Sequence, residues 1–178
     1  MPAIDGQFEV KPLLDALRAE RGDAEFGYRM QGMFAHVLLR MGAEILEVNA
    51  QGHPDIKARL GGDLLLVQVK SCDHAHASSM FQLSSADLAG IGSSHRTKGY
   101  LAFLDCAVPV SWHVVDASVV WQFLGRCVPV ATLRAARDEQ MSQDSTQLFV
   151  ELILGVKERL SLLTFPLLAQ RALQGRQA

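Results

Sequence analysis

Two adjoining stretches decide the fold of this chain: Gly52-His53-Pro54-Asp55-Ile56 and, after a predicted hairpin turn, Leu64-Leu65-Leu66-Val67-Gln68-Val69-Lys70-Ser71. Side chains alternate along a strand with period two, so Gln68 and Lys70 share one face while Val69 points to the other. A lysine in so apolar a strand is costly unless it has a partner or a task. We therefore predict that an acid, an amide and an ammonium converge at the end of a small sheet. Such a place suits a divalent cation and a phosphodiester.

The elements around these stretches predict an α/β fold. The apolar spacing predicts two helices that are broken at Gly22-Asp23 and followed by strands, with a tight turn at Gly61-Gly62-Asp63. The predicted helices span 11–20, 24–41 and 84–91, and the predicted strands span 43–50, 55–60, 64–70, 99–105 and 110–116. This order indicates an α/β/α core with a central mixed sheet of about five strands.

The remainder of the chain, from Ala117 onward, is predicted to be helical. Helices are expected over 119–124, 130–137 and 147–163, with a last one after Pro166. We predict a single domain over residues 1–178, with a core of about 24–116 and a helical C-terminal extension of about 117–175. The 147–163 helix is apolar on nearly every face, which predicts burial in its own fold or in a homodimer interface.

Composition limits the class of protein. The chain has 178 residues, a net charge of −2 and a pI near 6.3, which is less basic than most nucleic-acid binders, although a local basic patch remains possible. Cys72, Cys106 and Cys127 lack metal-ligand spacing, so we expect reduced thiols in a cytoplasmic protein. There is no signal-peptide pattern and no membrane-spanning apolar run, so no membrane partner is expected.

The motif resembles the PD-(D/E)xK nuclease superfamily, and within it archaeal-type Holliday junction resolvases and Mrr-type restriction endonucleases. The resemblance covers roughly Gly27 to Asp116. Asp55 matches the metal-binding aspartate of the family, and Lys70 matches its catalytic lysine. Gln68 falls where most members carry Asp or Glu and Mrr-like members carry Gln. The segment Gly27-Tyr28-Arg29-Met30-Gln31 matches a Gly-x-x-x-Glu element on the first core helix, with Gln31 in place of the carboxylate.

This resemblance implies a restriction-endonuclease-like fold and a metal-dependent DNA endonuclease that hydrolyses phosphodiester bonds, with branched or foreign DNA as candidate substrates. It implies catalytic roles for Asp55, Gln68, Lys70 and Gln31. Asp55 and Gln68 are the expected ligands of Mg²⁺ or Mn²⁺, because hard cations prefer oxygen ligands. Family members of this kind are commonly homodimers.

Basic residues near the motif are the candidates for contacting DNA. Lys57 and Arg59 share a strand face with Asp55, and a basic loop contributes His95, Arg96 and Lys98. All five are predicted nucleic-acid-binding residues, although such clusters are often simply solvated.

Other polar residues have weaker claims to the site. Glu47 and Glu25 are the nearest candidates for an additional carboxylate. Ser84 and Asp87 are interpreted as a helix cap. His74 and His76 alternate and could bind a transition metal, but a solvated loop is the simpler interpretation.

Two further hypotheses stay open. The chain could be a catalytically weakened relative that serves as a DNA-binding or assembly subunit, and a second carboxylate within reach of Asp55 would favour the enzyme over this alternative. It could also be an α/β protein unrelated to nucleic acid, which the acidic pI favours.

Overall fold

The computed structural model describes residue 4 and residues 6–49, 53–72, 80–123 and 127–155, and it gives no side-chain description at 72, 80–82 and 127. The strands in this part of the chain are β1 (Glu44–Val48), β2 (Ile56–Leu60), β3 (Asp63–Cys72), β4 (Met80–Gln82), β5 (Thr97–Asp105), β6 (Ser111–Asp116) and β7 (Cys127–Pro129). Five of them form one sheet in the order β1-β2-β3-β5-β6. Only β3 and β5 pair in parallel, so the sheet is mixed. The predicted α/β fold with a five-stranded mixed sheet is confirmed.

The helices are α1 (Gln7–Arg40), α2 (Ser85–Ala89), α3 (Ala117–Val120), α4 (Val130–Ala135) and α5 (139–155, where the description of the chain stops). Gly22 interrupts α1 with a φ of 79° and a ψ of 168°, so the predicted break at this position is confirmed. Gly42, with a φ of 89°, follows the end of the helix. None of the helices within these described ranges is long and apolar enough to cross a membrane.

Two apolar cores lie on opposite faces of the sheet. One contains Phe34 of α1, Phe149 of α5 and the odd-numbered side chains of β3, such as Val67. The other contains Leu88 of α2 and Phe103 of β5. This arrangement gives three layers and leaves the even-numbered positions of β3, Gln68 and Lys70 among them, on the face covered by α2, α3 and α4.

The C-terminal helix differs from its predicted start. It begins at 139 rather than at 147. Asp138 caps this start, since its Oδ1 accepts a hydrogen bond of 2.9 Å from Met141 N. The first turns look too polar for a core helix, but Ser142 and Thr146 are fully buried. Their hydroxyls accept from backbone N–H groups of the edge strand β6, at 2.9 Å each from Val114 N and Trp112 N. The polar side chains at the start of α5 therefore provide hydrogen-bond acceptors for the backbone N–H groups at this sheet edge.

The apolar residues of α5 pack largely on their own chain. Phe149 and Val150 are buried, and Leu148, Leu152, Ile153 and Leu154 pack against the same core. Much of the apolar surface that predicted a subunit interface is therefore covered by the fold, while residues 156–163 lie outside the described residues. The antiparallel pair β4–β7 was not predicted either, since each strand has only three residues.

Candidate functional site

Asp55 stands immediately before β2 and is held in a fixed orientation. Ile56 pairs with Val67 across the hairpin, which sets Asp55 against Gln68. Asp55 Oδ2 accepts from Gln68 Nε2 at 2.6 Å and from Val69 N at 2.7 Å. The residue is only 4% exposed. Burial raises the pKa of Asp55, and the bond from Val69 and the charge of Lys70 oppose this rise only in part.

Lys70 lies two residues along β3 on the same face as Gln68, as the alternation predicted. Its Nζ lies 2.7 Å from Asp87 Oδ1, a residue of α2. The Lys70 side chain is 34% exposed, whereas that of Asp87 is 6% exposed. The ammonium is therefore accessible from solvent, while its partner carboxylate is buried.

Asp87 uses its two oxygens for different purposes. Oδ2 accepts from the backbone N and the hydroxyl of Ser84 at 2.9 and 2.8 Å, and Ser84 Oγ accepts from Asp87 N, so the predicted helix cap is confirmed. Oδ1 faces Lys70 instead. Burial would raise the pKa of Asp87, but the hydrogen bonds from Lys70 and Ser84 outweigh burial and lower it. Asp87 is thus a second ionised acid beside Lys70.

His53 connects the two carboxylates. Its Nδ1 lies 3.1 Å from Gln68 Oε1 and 3.8 Å from Asp87 Oδ1. When Nδ1 carries the proton it donates to Gln68, whose amide nitrogen then donates to Asp55. We call these five residues the Asp55–Asp87 cluster: His53, Asp55, Gln68, Lys70 and Asp87.

Two glycines bring α2 close enough to contribute Asp87. A Cβ at Gly90 would lie 2.7 Å from Pro54 N, and a Cβ at Gly99 would lie 1.7 Å from the carbonyl oxygen of Ile91. A side chain at Gly90 would collide with the backbone of His53 and Pro54, and a side chain at Gly99 would collide with the backbone of Ile91, which follows α2. The close approach of α2 to the end of β3 therefore depends on these two glycines.

Gln31 lines an open cleft of ≈ 290 Å³ beside Lys70. The cleft is bounded by α1 and by β3, through Asp23, Ala24, Gly27, Tyr28, Met30, Gln31, Val69, Lys70 and Ser71. Among the described residues, no hydrogen bond joins Gln31 to Asp55, Gln68 or Lys70. The structure therefore brings Gln31 near Lys70 but not into the cluster.

The predicted DNA-contacting cations are largely paired with carboxylates. Lys57 bonds Glu47 at 2.6 Å and Arg59 bonds Glu44 at 3.1 Å, across the β1–β2 pair. Lys98 bonds Asp63 at 2.8 Å. His95 and Arg96 are exposed in the loop before β5.

The additional metal ligands considered from the sequence lie elsewhere. Glu47 faces Lys57, and Glu25 pairs with Arg29 at 3.0 Å. His74 and His76 lie outside the described residues. Among the described residues, the additional acid that contacts Lys70 is Asp87, which sequence reasoning assigned to the cap alone. His53 was also missed, although it stands within the motif.

The donors of the cluster fit a hard cation with few protein ligands. The hydrogen bonds given to Asp55 fall on Oδ2, and Asp87 and Gln68 add further oxygens. Within the part of the chain that the structure describes, no group of three or more His, Cys, Asp or Glu is placed to hold a metal ion. Mg²⁺ nevertheless is commonly held by one or two carboxylates together with waters and substrate phosphates.

Comparison of the chain with protein-family models, with curated proteins and with solved structures finds no match. The case for a function consequently depends on the geometry of the cluster and on the motif.

Proposed function

We propose that the protein is a metal-dependent DNA endonuclease that hydrolyses phosphodiester bonds. One observation carries the proposal: Asp55, Gln68 and Lys70 converge on one face at the same end of the sheet, with Asp55 and Gln68 hydrogen-bonded to each other. The order of helix, antiparallel strands, helix and parallel strand also agrees with what the motif implies.

The residues of the cluster suit the charge changes of the reaction. A water oxygen attacks phosphorus and gives up a proton to solvent, the bond to the leaving oxygen breaks, and that oxygen takes up a proton. The accessible Lys70 ammonium would stabilise the negative charge that grows on the phosphoryl oxygens. A bound Mg²⁺ or Mn²⁺ would supply Lewis acidity. Gln68 and the Val69 amide would keep the Asp55 carboxylate in one orientation toward that cation.

The cleft beside Lys70 offers a route for a DNA strand. It lies between α1 and β3, and it carries Tyr28, which is 43% exposed. Branched or foreign DNA is the substrate class that the motif favours. The paired state of Lys57, Arg59 and Lys98 implies that these cations would have to exchange a carboxylate for a phosphate to contribute to binding.

The decisive experiment is a cleavage assay on plasmid DNA and on a synthetic four-way junction, with Mg²⁺, with Mn²⁺ and with chelator. We expect metal-dependent cleavage, and Lys70→Ala should lower its rate on the order of 100-fold, as for loss of one group that stabilises transition-state charge. Lys11→Ala is the matched control, because it removes a lysine of α1 whose partner is Asp15 and which is not among the predicted DNA contacts. Equal cleavage by wild type and Lys70→Ala would refute the proposal.

A second candidate function is DNA binding without cleavage. It is favoured by the internal bonds that already engage Asp55 and Lys70, and by glutamine at both Gln31 and Gln68. Junction binding in a gel-shift assay, with no cleavage under any metal condition, would favour this function.

We also propose that the active form is a homodimer that presents two sites to one DNA, because the nucleases that the motif resembles are commonly homodimers. Light scattering at micromolar concentration measures this directly. A mass near 19.5 kDa would indicate a monomer and exclude the dimer.

A further inference from the structure

The predicted residues alone would leave the site electrically neutral. Asp55 contributes a negative charge and Lys70 a positive charge, while Gln68 and Gln31 contribute none. A site without net negative charge has little long-range attraction for a divalent cation. Some other acid must supply that charge if the site binds one.

Asp87 is placed to supply this negative charge, and its role as a helix cap does not explain why its Oδ1 contacts Lys70. The cap uses Oδ2 only, and Oδ1 lies 2.7 Å from Lys70 Nζ. Asp116 provides a comparison, since it caps α3 by accepting from Ser118 N at 2.8 Å and is half-buried. Asp87 is 5% exposed and turned toward the cluster.

The amide at Gln68 is neutral, so a second negative charge in the site has to come from another residue, and Asp87 of α2 can supply it. Gln68 Nε2 donates to Asp55, and Oε1 faces His53 Nδ1. An ionised glutamate at this position has no hydrogen to donate to Asp55. The amide thus holds Asp55 in place, and the second negative charge is carried by Asp87, whose Oδ1 lies 3.8 Å from His53 Nδ1.

We infer that Asp87 is the second carboxylate of the site, which positions Lys70 and supplies, together with Asp55, the charge that attracts a hard divalent cation such as Mg²⁺ or Mn²⁺. The inference rests on the proposed endonuclease site. It gives to Asp87 of α2 the role of the acidic residue that the motif places at Gln68 of β3 or at Gln31 of α1.

Calorimetric titration of the full chain with Mn²⁺ tests the inference without relying on cleavage. Asp87→Asn keeps an oxygen that can accept the cap bonds, so the helix start should persist. We expect this variant to bind Mn²⁺ on the order of 10-fold more weakly or worse, a loss typical of groups that support a metal site. Cleavage of DNA by the same protein samples is measured separately.

Three matched variants separate the effect of the Asp87 charge from the effects of removing another aspartate or of weakening the α2 cap. Asp63→Asn removes the carboxylate of the Lys98 ion pair, and Asp116→Asn alters a capping aspartate outside the cluster. Ser84→Ala removes a partner in the α2 cap and leaves the Asp87 charge in place. All three should bind Mn²⁺ like wild type.

The outcomes distinguish this inference from the proposed function. Wild-type affinity in Asp87→Asn would overturn the role of Asp87, while metal-dependent cleavage that requires Lys70 would leave the endonuclease standing. Loss of Mn²⁺ binding in Asp87→Asn, in a protein that cleaves no DNA, would support the cation site and refute the nuclease. Absence of Mn²⁺ binding by wild type would overturn the inference, as would an equal loss in Ser84→Ala.

Discussion

Two buried aspartates on the same face of the sheet have opposite electrostatic environments. Asp55, before β2, has a raised pKa because burial outweighs its favourable contacts. Asp105, at the end of β5, is buried to a similar degree, and its pKa is lowered to about 2. Burial would raise the pKa of Asp105 as well, but hydrogen bonds from His113, Ala107 and Arg134 outweigh it.

The number and placement of donors explain the difference. Asp105 Oδ1 accepts from Ala107 N at 3.0 Å. Its Oδ2 accepts from Arg134 Nε at 2.7 Å, is also bonded by a second nitrogen of Arg134, and lies 3.4 Å from His113 Nε2. From the described residues, Asp55 receives two bonds, both on Oδ2. Asp105 is therefore stabilised as an anchor between α4 and the sheet, whereas Asp55 retains an unfavourable charge of the kind found at functional sites.

The largest expected effect is on the anchor. Asp105→Ala removes the acceptor of Ala107 N and the partner of the buried His113, as well as that of the partly exposed Arg134, so it should lower the free energy of unfolding by about 2–4 kcal/mol. Urea denaturation at pH 7 measures this change. Glu139→Ala breaks the pair between Glu139 and Arg137, which lies at the surface, and should change stability little. Equal effects of the two variants would contradict the assignment of Asp105 as an anchor.

The lowered pKa of Asp105 predicts an acid dependence of stability. Because the carboxylate has a pKa of about 2 in the fold and an ordinary value of 3.8, its stabilisation is complete above the ordinary value and is lost as pH falls toward the folded value. The contribution is about 2 kcal/mol. Urea midpoints between pH 7 and pH 2 should fall less steeply for Asp105→Asn than for wild type. Parallel curves would show that Asp105 makes no such contribution.

A smaller effect on stability is expected from changing the hydrogen bond between Asp55 and Gln68. Gln68→Glu restores a carboxylate beside Asp55, so we expect equal or higher affinity for Mg²⁺. The same change removes the Nε2 donor to Asp55 and adds a like charge, which should lower the free energy of unfolding by about 1–3 kcal/mol in the absence of metal. Calorimetry and urea denaturation test the two parts. Weaker Mg²⁺ binding would show that Gln68 is not a metal ligand.

The smallest effect on stability is expected at Asp55 itself. A raised pKa means that the ionised form is disfavoured in the fold, so the stability contribution of this group falls as pH rises through its ordinary value and its folded value. Asp55→Asn keeps an acceptor for Gln68 and Val69 without the charge. It should leave the free energy of unfolding at pH 7 unchanged or slightly higher while abolishing cleavage. If Asp55→Asn lowered the free energy of unfolding as much as Asp105→Ala does, the proposed difference between the two aspartates would be wrong.

Much of the sheet could be predicted because its information is local. Apolar periodicity, Gly22, Gly42 and the Gly61-Gly62 turn set the breaks between elements, and the five strands of the main sheet were found. Segments that depend on partners remote in the chain were harder to predict. The polar start of α5 is helical and buried because its hydroxyls bind the edge of β6, and nothing in residues 139–146 alone indicates that edge.

The sequence by itself determined that Asp55, Gln68 and Lys70 share one face of the sheet, because the alternation of side chains and the hairpin register follow from neighbouring residues. Only the tertiary structure decided which acid faces Lys70 and which aspartate is an anchor. Asp87 arrives on α2 because Gly90 and Gly99 allow close backbone approach, and Arg134 reaches Asp105 from α4. These contacts join segments that have no local pattern in common. The charges around Asp55 and around Asp105 are therefore set by packing between the layers of the fold, and a local sequence pattern holds no information on that packing.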